Sequence, residues 1–326
     1  MTPSVRSRLW ASGVSFGFGF AVANYGLLMI AKPDQWLWLS AAAVFMVTGA
    51  VGVLFADALS SFSVWAVLGF ELLAAFTLVP FAWMTSLALS PAGISLHTVW
   101  PRNATTGNFS AVVRSEVIQK AALNSLIIAG ASTVIAVFFA VFAAYAIVRK
   151  TFRAKRLVYA LILSALFAPL VTLVGPMASQ ALAFGLYDSK VTLIVCYLAL
   201  TLPLSLWLFV SLFSQVPWSL RDAARADGAG RFQMLRRVYL PLLGPGLMTV
   251  TLIVFFVACN DLVLGLALGS TDSTLPIPAT LTTLGAGFTN PTAATAAAGL
   301  LWFLPVLLFV LVFQRKIVRL LGRPNR

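Results

Sequence analysis

Two polar residues next to each other in an apolar stretch are the side chains best suited to contact a ligand. Asn260 and Asp261 follow a long hydrophobic run, and both side chains can hydrogen-bond to hydroxyl groups. An intramembrane carboxylate is costly and faces a cavity or a partner, so Asp261 either lines a pocket or bonds to a neighbouring helix. Glu71 is a second such carboxylate. Trp207 and Trp302 are the aromatic candidates for the same pathway.

The chain contains few groups that catalyse reactions. It has nine acidic residues, one histidine (His97) and two cysteines, Cys196 and Cys259, which both lie in apolar runs. This composition argues against a metal cluster, a disulfide framework and a hydrolytic acid–base pair. A phosphate-binding G-x-x-x-x-G-K-[ST] loop is also missing. The sequence therefore predicts no catalytic residue, no metal and no cofactor bound by this chain.

A polar, arginine-rich segment, SLRDAARADGAGRFQMLRRVYLP at 219–241, separates two apolar runs. Ser219 and Asp222 have capping-box spacing, which predicts that a helix begins at Ser219. Gly228 is suited to the left-handed turn that ends a helix, and Pro241 is expected to close a second one. The first helix has small residues along one side: Ala223, Ala224 and Ala226. A short polar helix with such a side predicts docking into a groove on another protein.

The elements that position these residues are membrane spans. Hydrophobic residues make up 60% of the 326 positions, and the mean hydropathy is +0.97, which excludes an ordinary soluble domain. The apolar runs predict eight helices, at 10–31, 36–56, 64–89, 120–148, 157–184, 191–213, 242–268 and 296–314. Several contain prolines, which bend helices around cavities: Pro169, Pro176, Pro203, Pro245 and Pro305.

The distribution of positive charge predicts the orientation of these spans. With both termini in the cytosol, 17 of the 22 basic residues lie in cytosolic segments. Cytosolic loops of membrane proteins carry such an excess of lysine and arginine. The segment 219–241 is then cytosolic, whereas 90–119 and 269–295 are the long external segments. The prediction is a multi-pass protein of a bacterial or archaeal plasma or inner membrane.

The cytosolic segment resembles the EAA loop of ATP-binding-cassette importer permeases, which runs from EAA through a glycine to LP. The matching residues are Asp222-Ala223-Ala224, Gly228 and Leu240-Pro241. Asp227-Gly228-Ala229 resembles the DGA form typical of carbohydrate permeases. Asp222 departs from the usual glutamate: it keeps the charge and shortens the reach.

Further matches indicate the maltose-type carbohydrate permeases. Of the two permease subunits in that family, the chain resembles MalG. Asn124-Ser125 resembles the family's NS pair, and Ala144-Tyr145-Ala146 with Arg149 resembles its AYA…R ending. Cys259-Asn260-Asp261 is similar to a W-N-[DE] signature, with cysteine where tryptophan is usual. The resemblance covers a six-helix domain at 61–326, with the EAA loop at 217–241. Residues 1–60 would form two additional N-terminal helices.

This resemblance implies an all-α type I importer transmembrane domain. A second, homologous permease would complete the pathway, two copies of an ATPase would dock on the EAA loops, and an extracytoplasmic binding protein would deliver a sugar. ATP and magnesium would be bound by the ATPase. The implied ATPase-coupling residues are Ser219, Asp222, Ala223, Ala224, Asp227, Gly228, Leu240 and Pro241. The possible substrate pathway is Asn260, Asp261, Trp207 and Trp302.

Other functions remain open from the sequence. An importer of the same superfamily could carry a different solute, such as glycerol phosphate, a peptide or an anion. A secondary transporter or channel would need no partner ATPase, and the docking segment would then have no explanation. A purely structural membrane protein would explain neither the proline-containing spans nor Asp261.

Overall fold

The computed structural model describes residues 64–91, 101, 103–149, 154–284 and 288–321. All regular secondary structure in these residues is helical. The predicted spans at 10–31 and 36–56 lie outside them, as does the side chain of Glu71. The helices are α1 Val64–Ala88, α2 Gly107–Arg114, α3 Glu116–Arg149, α4 Lys155–Phe167, α5 Leu170–Ala183, α6 Lys190–Ser214, α7 Trp218–Ala226, α8 Arg231–Met234, α9 Leu240–Leu242, α10 Gly244–Cys259, α11 Val263–Leu268, α12 Ile277–Thr283 and α13 Pro291–Leu321.

These helices belong to two compact units. Helices α1 and α2 form the first with the beginning of α13, and α3 to α12 form the second with the remainder of α13. In the first unit, the Asn108 side-chain amide donates to the carbonyls of Ala88 and Ser90, both at 2.8 Å. These bonds satisfy carbonyl groups that the end of α1 leaves without helical partners.

The second unit is built on the pair α3 and α6. Ala136, Ala140 and Ala144 repeat every fourth residue along α3 and are completely buried. Such a stripe of small residues lets two membrane helices approach closely. On α6, Phe209 and Phe213 fill the same buried cluster, together with residues of α10. This core connects the long helices to the segment at 219–241.

Two predicted spans are broken rather than continuous. The span predicted at 157–184 is α4 and α5, which meet at an angle of 86°. Ala168 is extended there, as expected for a residue before proline, and Pro169 precedes the first residue of α5. The span predicted at 242–268 is interrupted between α10 and α11. Asp261 therefore lies in this break and not inside a helix.

Most of the five prolines predicted to bend the spans do not break a helix. Pro176, Pro203 and Pro305 lie inside continuous helices, whereas Pro245 is at the start of α10, after an 81° bend from the preceding helical run. Among the described residues, α3 and α6 are each long and apolar enough to cross a membrane, and two bent pairs also qualify if each is one span. The predicted total of eight spans is not established by these helices.

Candidate functional site

The first helix of the polar segment, α7, has its N-cap two residues earlier than the capping-box spacing predicts. Pro217 occupies the N-cap position, and no side chain caps the helix. The predicted capping box is therefore wrong: Ser219 lies in the first turn rather than before it. A fixed proline φ at the cap position (φ −58°) starts the helix without a side-chain acceptor.

The end of α7 agrees with the prediction from Gly228. This glycine has φ +77°, in the left-handed region. Its amide donates to the Arg225 carbonyl at 3.0 Å, and the Ala229 amide donates to the Ala224 carbonyl at 2.9 Å. Together these two bonds form a Schellman motif, which satisfies the last carbonyls of the helix and reverses the chain.

Pro241 does not close the second helix at its own position. The chain is helical from α8 through a π-helical turn at Leu235–Tyr239 and then through α9, which contains Pro241. Proline has no amide hydrogen to donate to a carbonyl of the preceding turn. Just before it, the Leu240 amide bonds to the Leu235 carbonyl five residues back, which widens the turn. The run ends at Leu242, where the chain bends into α10.

The segment has one packed side and one exposed side. Ala224 packs against the buried cluster formed by α3, α6 and α10, to which Met234, Leu235 and Tyr239 also belong. The opposite side of α7 and its following turn is exposed at Asp222, Ala223, Arg225, Ala226 and Asp227. Among the predicted coupling residues, Ala224 therefore holds the helix in place, whereas Asp222, Ala223 and Asp227 are available to a partner.

A tyrosine at the end of α3 bonds directly to this segment. The Tyr145 hydroxyl donates to the Arg231 carbonyl at 3.0 Å and accepts from Arg149 Nη1 at 3.3 Å. Its ring meets the Tyr239 ring edge-on, with 5.2 Å between centroids. In sequence, Tyr145 and Arg149 belong to the AYA…R motif that resembles the family pattern. In the structure it attaches α3 to the first residue of α8.

A tryptophan–arginine pair on α7 was not predicted. Trp218 is 58% exposed and Leu220 is 44% exposed, although the helix is polar overall. The Arg221 guanidinium lies over the Trp218 ring, 4.1 Å from its centroid, and Arg221 Nε is 3.9 Å from Asp222 Oδ1. The cation–π contact holds the indole in place while leaving it accessible. The i, i+3 spacing of the two residues on a helix was the available signal.

Asn260 and Asp261 are neighbours in sequence with different environments. Asp261 is 9% exposed, and its Oδ2 accepts from the Leu264 amide at 2.9 Å in the first turn of α11. Asn260 is exposed, and its amide nitrogen donates to the Phe256 carbonyl at 2.9 Å. Asp261 thus bonds to a backbone amide in the first turn of the helix that follows it, at the break between α10 and α11.

The two tryptophans of the predicted pathway have different surroundings. Trp302 packs against the buried cluster that contains Cys259 and Leu264, on either side of Asp261. Trp207 is 44% exposed on α6 and is not among the residues of that cluster. Trp302 therefore packs against a cluster that includes residues flanking Asp261 in sequence, whereas Trp207 does not belong to that cluster. In the described part of the chain, no three His, Cys, Asp or Glu side chains form a group that could hold a metal ion.

The loop between α11 and α12 is held by side chains from two distant places. Asn124 Nδ2 donates to the carbonyls of Asp272 and Leu275, both at 3.0 Å, and Ser125 Oγ accepts from the Ile277 amide at 2.7 Å. Asp188, before α6, accepts from the Ser270 amide at 2.7 Å, and it also accepts from the amide of Thr271 and the hydroxyl of Thr274.

These hydrogen bonds explain the ionisation of Asp188. Burial raises the pKa of its carboxyl, but hydrogen bonds from Thr274, Ser270 and Thr271 stabilise the ionised form and bring the pKa below its ordinary value. Asp188 has φ +55°, which is tolerated better by aspartate than by most residues. The loop is thus attached to an ionised carboxylate at neutral pH.

The helical core, the exposed α7 and the side-chain bonds at both ends of α3 define a membrane component that acts through partners. The chain belongs to the family of binding-protein-dependent transport system inner membrane components, whose model matches residues 136–323. The family resemblance proposed from the sequence is confirmed. The protein is a transport component and not an enzyme.

Individual relatives extend over most of the chain. It is 36% identical over 257 residues to the trehalose transport system permease protein SugB of Mycobacterium tuberculosis, covering 78% of this chain and 93% of that protein. It is 32% identical to the trehalose/maltose transport system permease protein MalG of Thermococcus litoralis, covering 77% and 92%. Its fold is similar to a chain of a bacterial ABC transporter involved in the import of the acidic polysaccharide alginate (TM-score 0.62, 21% identity, 77% and 96% covered).

Proposed function

We propose that this chain is one of two permease subunits that form the transmembrane pathway of an ATP-driven sugar importer. An extracytoplasmic binding protein delivers the sugar, and two copies of an ATPase, which bind ATP and magnesium, supply the energy. The trehalose and trehalose/maltose permeases among its relatives support an oligosaccharide, a disaccharide or a related polyol as the substrate. The observation that supports the coupling role is that one side of α7 is exposed while Ala224, on the other side, packs against the buried cluster.

The proposed topology has six spans in the domain at 61–326 and two more at 1–60, with both termini in the cytosol. Contacts between segments assigned to the same side support it. Tyr145, near the end of the predicted span 120–148 that charge assigns to the cytosolic side, is hydrogen-bonded to Arg231 of the cytosolic segment. Asp188 and the loop at 269–276, both assigned to the outside, are also bonded to each other. A topology that separated either pair would break these bonds.

For the substrate pathway, we propose that Asn260 and Trp207 supply exposed groups that contact the sugar. Asp261 and Trp302 would stabilise the break between α10 and α11, Asp261 by its bond to Leu264 and Trp302 by packing against the buried cluster. Asn260 keeps its amide oxygen as an acceptor when its nitrogen is bonded to Phe256. An exposed indole such as Trp207 offers a face for stacking on a sugar ring.

The coupling role is tested with Ala223→Glu. Ala223 is exposed, so the change should leave insertion and thermal stability of the permease intact while placing a charge in the groove that receives α7. We expect the ATPase to be lost on co-purification. Gln215→Glu, an exposed position just before α7, is the matched control and should retain the ATPase. Normal ATPase binding by Ala223→Glu contradicts the proposed docking surface.

The substrate class is tested with the complete transporter in proteoliposomes. ATPase activity is measured with the binding protein loaded with each member of a panel of saccharides and non-sugar solutes. Stimulation by one saccharide identifies the substrate. Stimulation only by a phosphate ester or a peptide contradicts the sugar assignment and leaves the importer assignment intact.

A further inference from the structure

Helix α3 extends from one side of the second unit to the other without interruption. It runs over 34 residues, Glu116–Arg149, and contains no proline. At 1.5 Å per residue this corresponds to a length of about 51 Å, more than the roughly 30 Å of a bilayer's hydrocarbon core. The other uninterrupted span of this unit, α6, contains Pro203.

The cytosolic end of α3 is attached to the coupling segment. Tyr145 donates to the Arg231 carbonyl at the first residue of α8, and Arg149 donates to the Tyr145 hydroxyl. The aromatic contacts continue from Tyr145 to Tyr239 and from Tyr239 to Phe213, at 5.2 and 5.7 Å between centroids. A displacement of the segment that carries α7 therefore acts on the end of α3.

The opposite end of α3 is attached to the loop at 269–276. Asn124 and Ser125 are both 2% exposed and together make three hydrogen bonds to the backbone of this loop and of the first residue of α12. These bonds lie in a buried environment, where backbone groups lacking their partners are costly. The loop therefore has to follow this end of α3 or lose all three bonds.

Helix α6 is attached differently. Asp188, two residues before it, bonds to the same external loop, and Phe213 contacts the Tyr239 ring, but within the described residues none of its own side chains is hydrogen-bonded to that loop or to the segment at 219–241. The hydroxyl side chains of α6 bond mainly to carbonyls of their own helix, as Thr201 does to Tyr197 and Ser214 does to Val210. Ser205 bonds weakly to the Ala136 carbonyl of α3 at 3.4 Å. Among the helices of the described residues, α3 is thus the one whose own side chains are hydrogen-bonded to both the coupling segment and the external loop.

We infer that α3 transmits movement between the ATPase-coupling segment and the external loop at 269–276, and that Tyr145 and the pair Asn124–Ser125 are the positioning residues at its two ends. The inference rests on the proposed function, because it concerns how docking at α7 is communicated across the membrane. By this arrangement, the external loop changes position when the coupling segment moves, because α3 is bonded to the loop at one end and to Arg231 of that segment at the other.

Two single variants with matched controls test the two attachments. Tyr145→Phe removes only the hydroxyl, and Tyr239→Phe is its control, since no hydrogen bond of the Tyr239 hydroxyl accompanies its ring contacts. Ser125→Ala removes the acceptor for Ile277, and Ser132→Ala is its control, because Ser132 is buried on the same helix and bonds only to the Ala129 carbonyl.

The measurement is the ratio of ATPase activity with and without loaded binding protein, on the complete transporter in proteoliposomes. We expect each single variant to lower this ratio about fivefold, the effect of one net hydrogen bond, without loss of ATPase co-purification. The controls should keep the wild-type ratio. If Ser125→Ala fails to insert, Asn124→Ser replaces it, because that change removes both amide donors and keeps Ser125.

The double variant Tyr145→Phe/Ser125→Ala decides between transmission and two separate local effects. The two residues are 20 positions apart on α3, about 30 Å, a distance at which independent effects multiply. If α3 transmits the movement, breaking one end already interrupts it, so the double variant should equal the worse single variant. A product of the two single effects, unchanged single variants, or controls that are equally impaired would each overturn the inference. If no loaded binding protein stimulates the ATPase activity of the wild-type transporter, the proposed function itself is refuted.

Discussion

Replacing Gly228 by alanine tests whether the turn after α7 determines the geometry of docking. Gly228 has φ +77° and supplies one of the two amides that end the helix. A Cβ atom added there meets nothing within 4 Å. The methyl group therefore causes no collision inside the chain, and any defect must come from the backbone conformation.

The cost follows from the preference of L-residues for negative φ. Alanine in the left-handed region costs about 1–2 kcal/mol, which corresponds to a factor of about 5–30 in an equilibrium constant. If the end of α7 unwinds to relieve this strain, the docking-competent population falls by up to that factor. The apparent Kd for the ATPase then rises by up to the same factor. Asparagine tolerates the left-handed region better, so Gly228→Asn should lose less affinity.

The assay is ATPase binding by purified permease, with Gly230→Ala as the control. Gly230 is two residues away and has φ −67°, and the nearest atom to an added Cβ is Gln233 Oε1 at 3.7 Å. We expect wild-type affinity for Gly230→Ala and the order glycine, asparagine, alanine at position 228. Equal affinity of Gly228→Ala and Gly230→Ala would refute the role assigned to the left-handed turn.

Three further predictions concern the polar network and the close packing. Because hydrogen bonds lower the pKa of Asp188, its stabilisation of the loop is complete above about pH 4, the ordinary aspartate range, and is lost as pH falls through the lower folded-state pKa. A spin label at Ser273 should become more mobile in that acidic range, and Asp188→Asn should remove the dependence; mobility independent of pH in the wild type contradicts this. Asp261→Asn should keep the acceptor for Leu264 and retain stability and transport, whereas Asp261→Ala should cost about 1 kcal/mol in thermal unfolding; a stable Asp261→Asn that does not transport shows substrate contact instead. Gly265→Ala places a Cβ 2.6 Å from Pro276 Cγ and should destabilise the permease by about 1–3 kcal/mol, in contrast to Gly175→Ala, which meets nothing within 4 Å; equal melting temperatures would contradict this packing.

The sequence was most informative where a local rule determines the structure. The apolar runs at 120–148 and 191–213 lie within α3 and α6, and Gly228 has the expected left-handed conformation. The prediction that Ser219 is the N-cap of α7 was wrong, because Pro217, two residues earlier, occupies that position. Local spacing does not decide which of two competing starts is used.

The breaks in the spans depend on tertiary packing and could not be located from proline alone. Pro169 is at an 86° bend, whereas Pro176, only seven residues later, is accommodated inside α5. Neighbouring helices can satisfy the carbonyl that a proline leaves free, and sequence does not show where they do so. The contacts of Asn124 were equally inaccessible, since its partners are 148 and 151 residues away.

In the described residues, several buried polar side chains bond to backbone groups at breaks between helices and at helix ends. Asn124 and Ser125 bond to the loop before α12, Tyr145 bonds to the start of α8, and Asp261 bonds to the start of α11. Without water, such backbone groups need side-chain partners, so a polar residue in an apolar run marks an interrupted helix at least as well as a ligand site. A substrate contact requires a polar group with remaining capacity on an exposed surface. Asn260 meets that requirement, because its amide oxygen stays available, whereas the Asp261 carboxylate bonds to the first turn of α11.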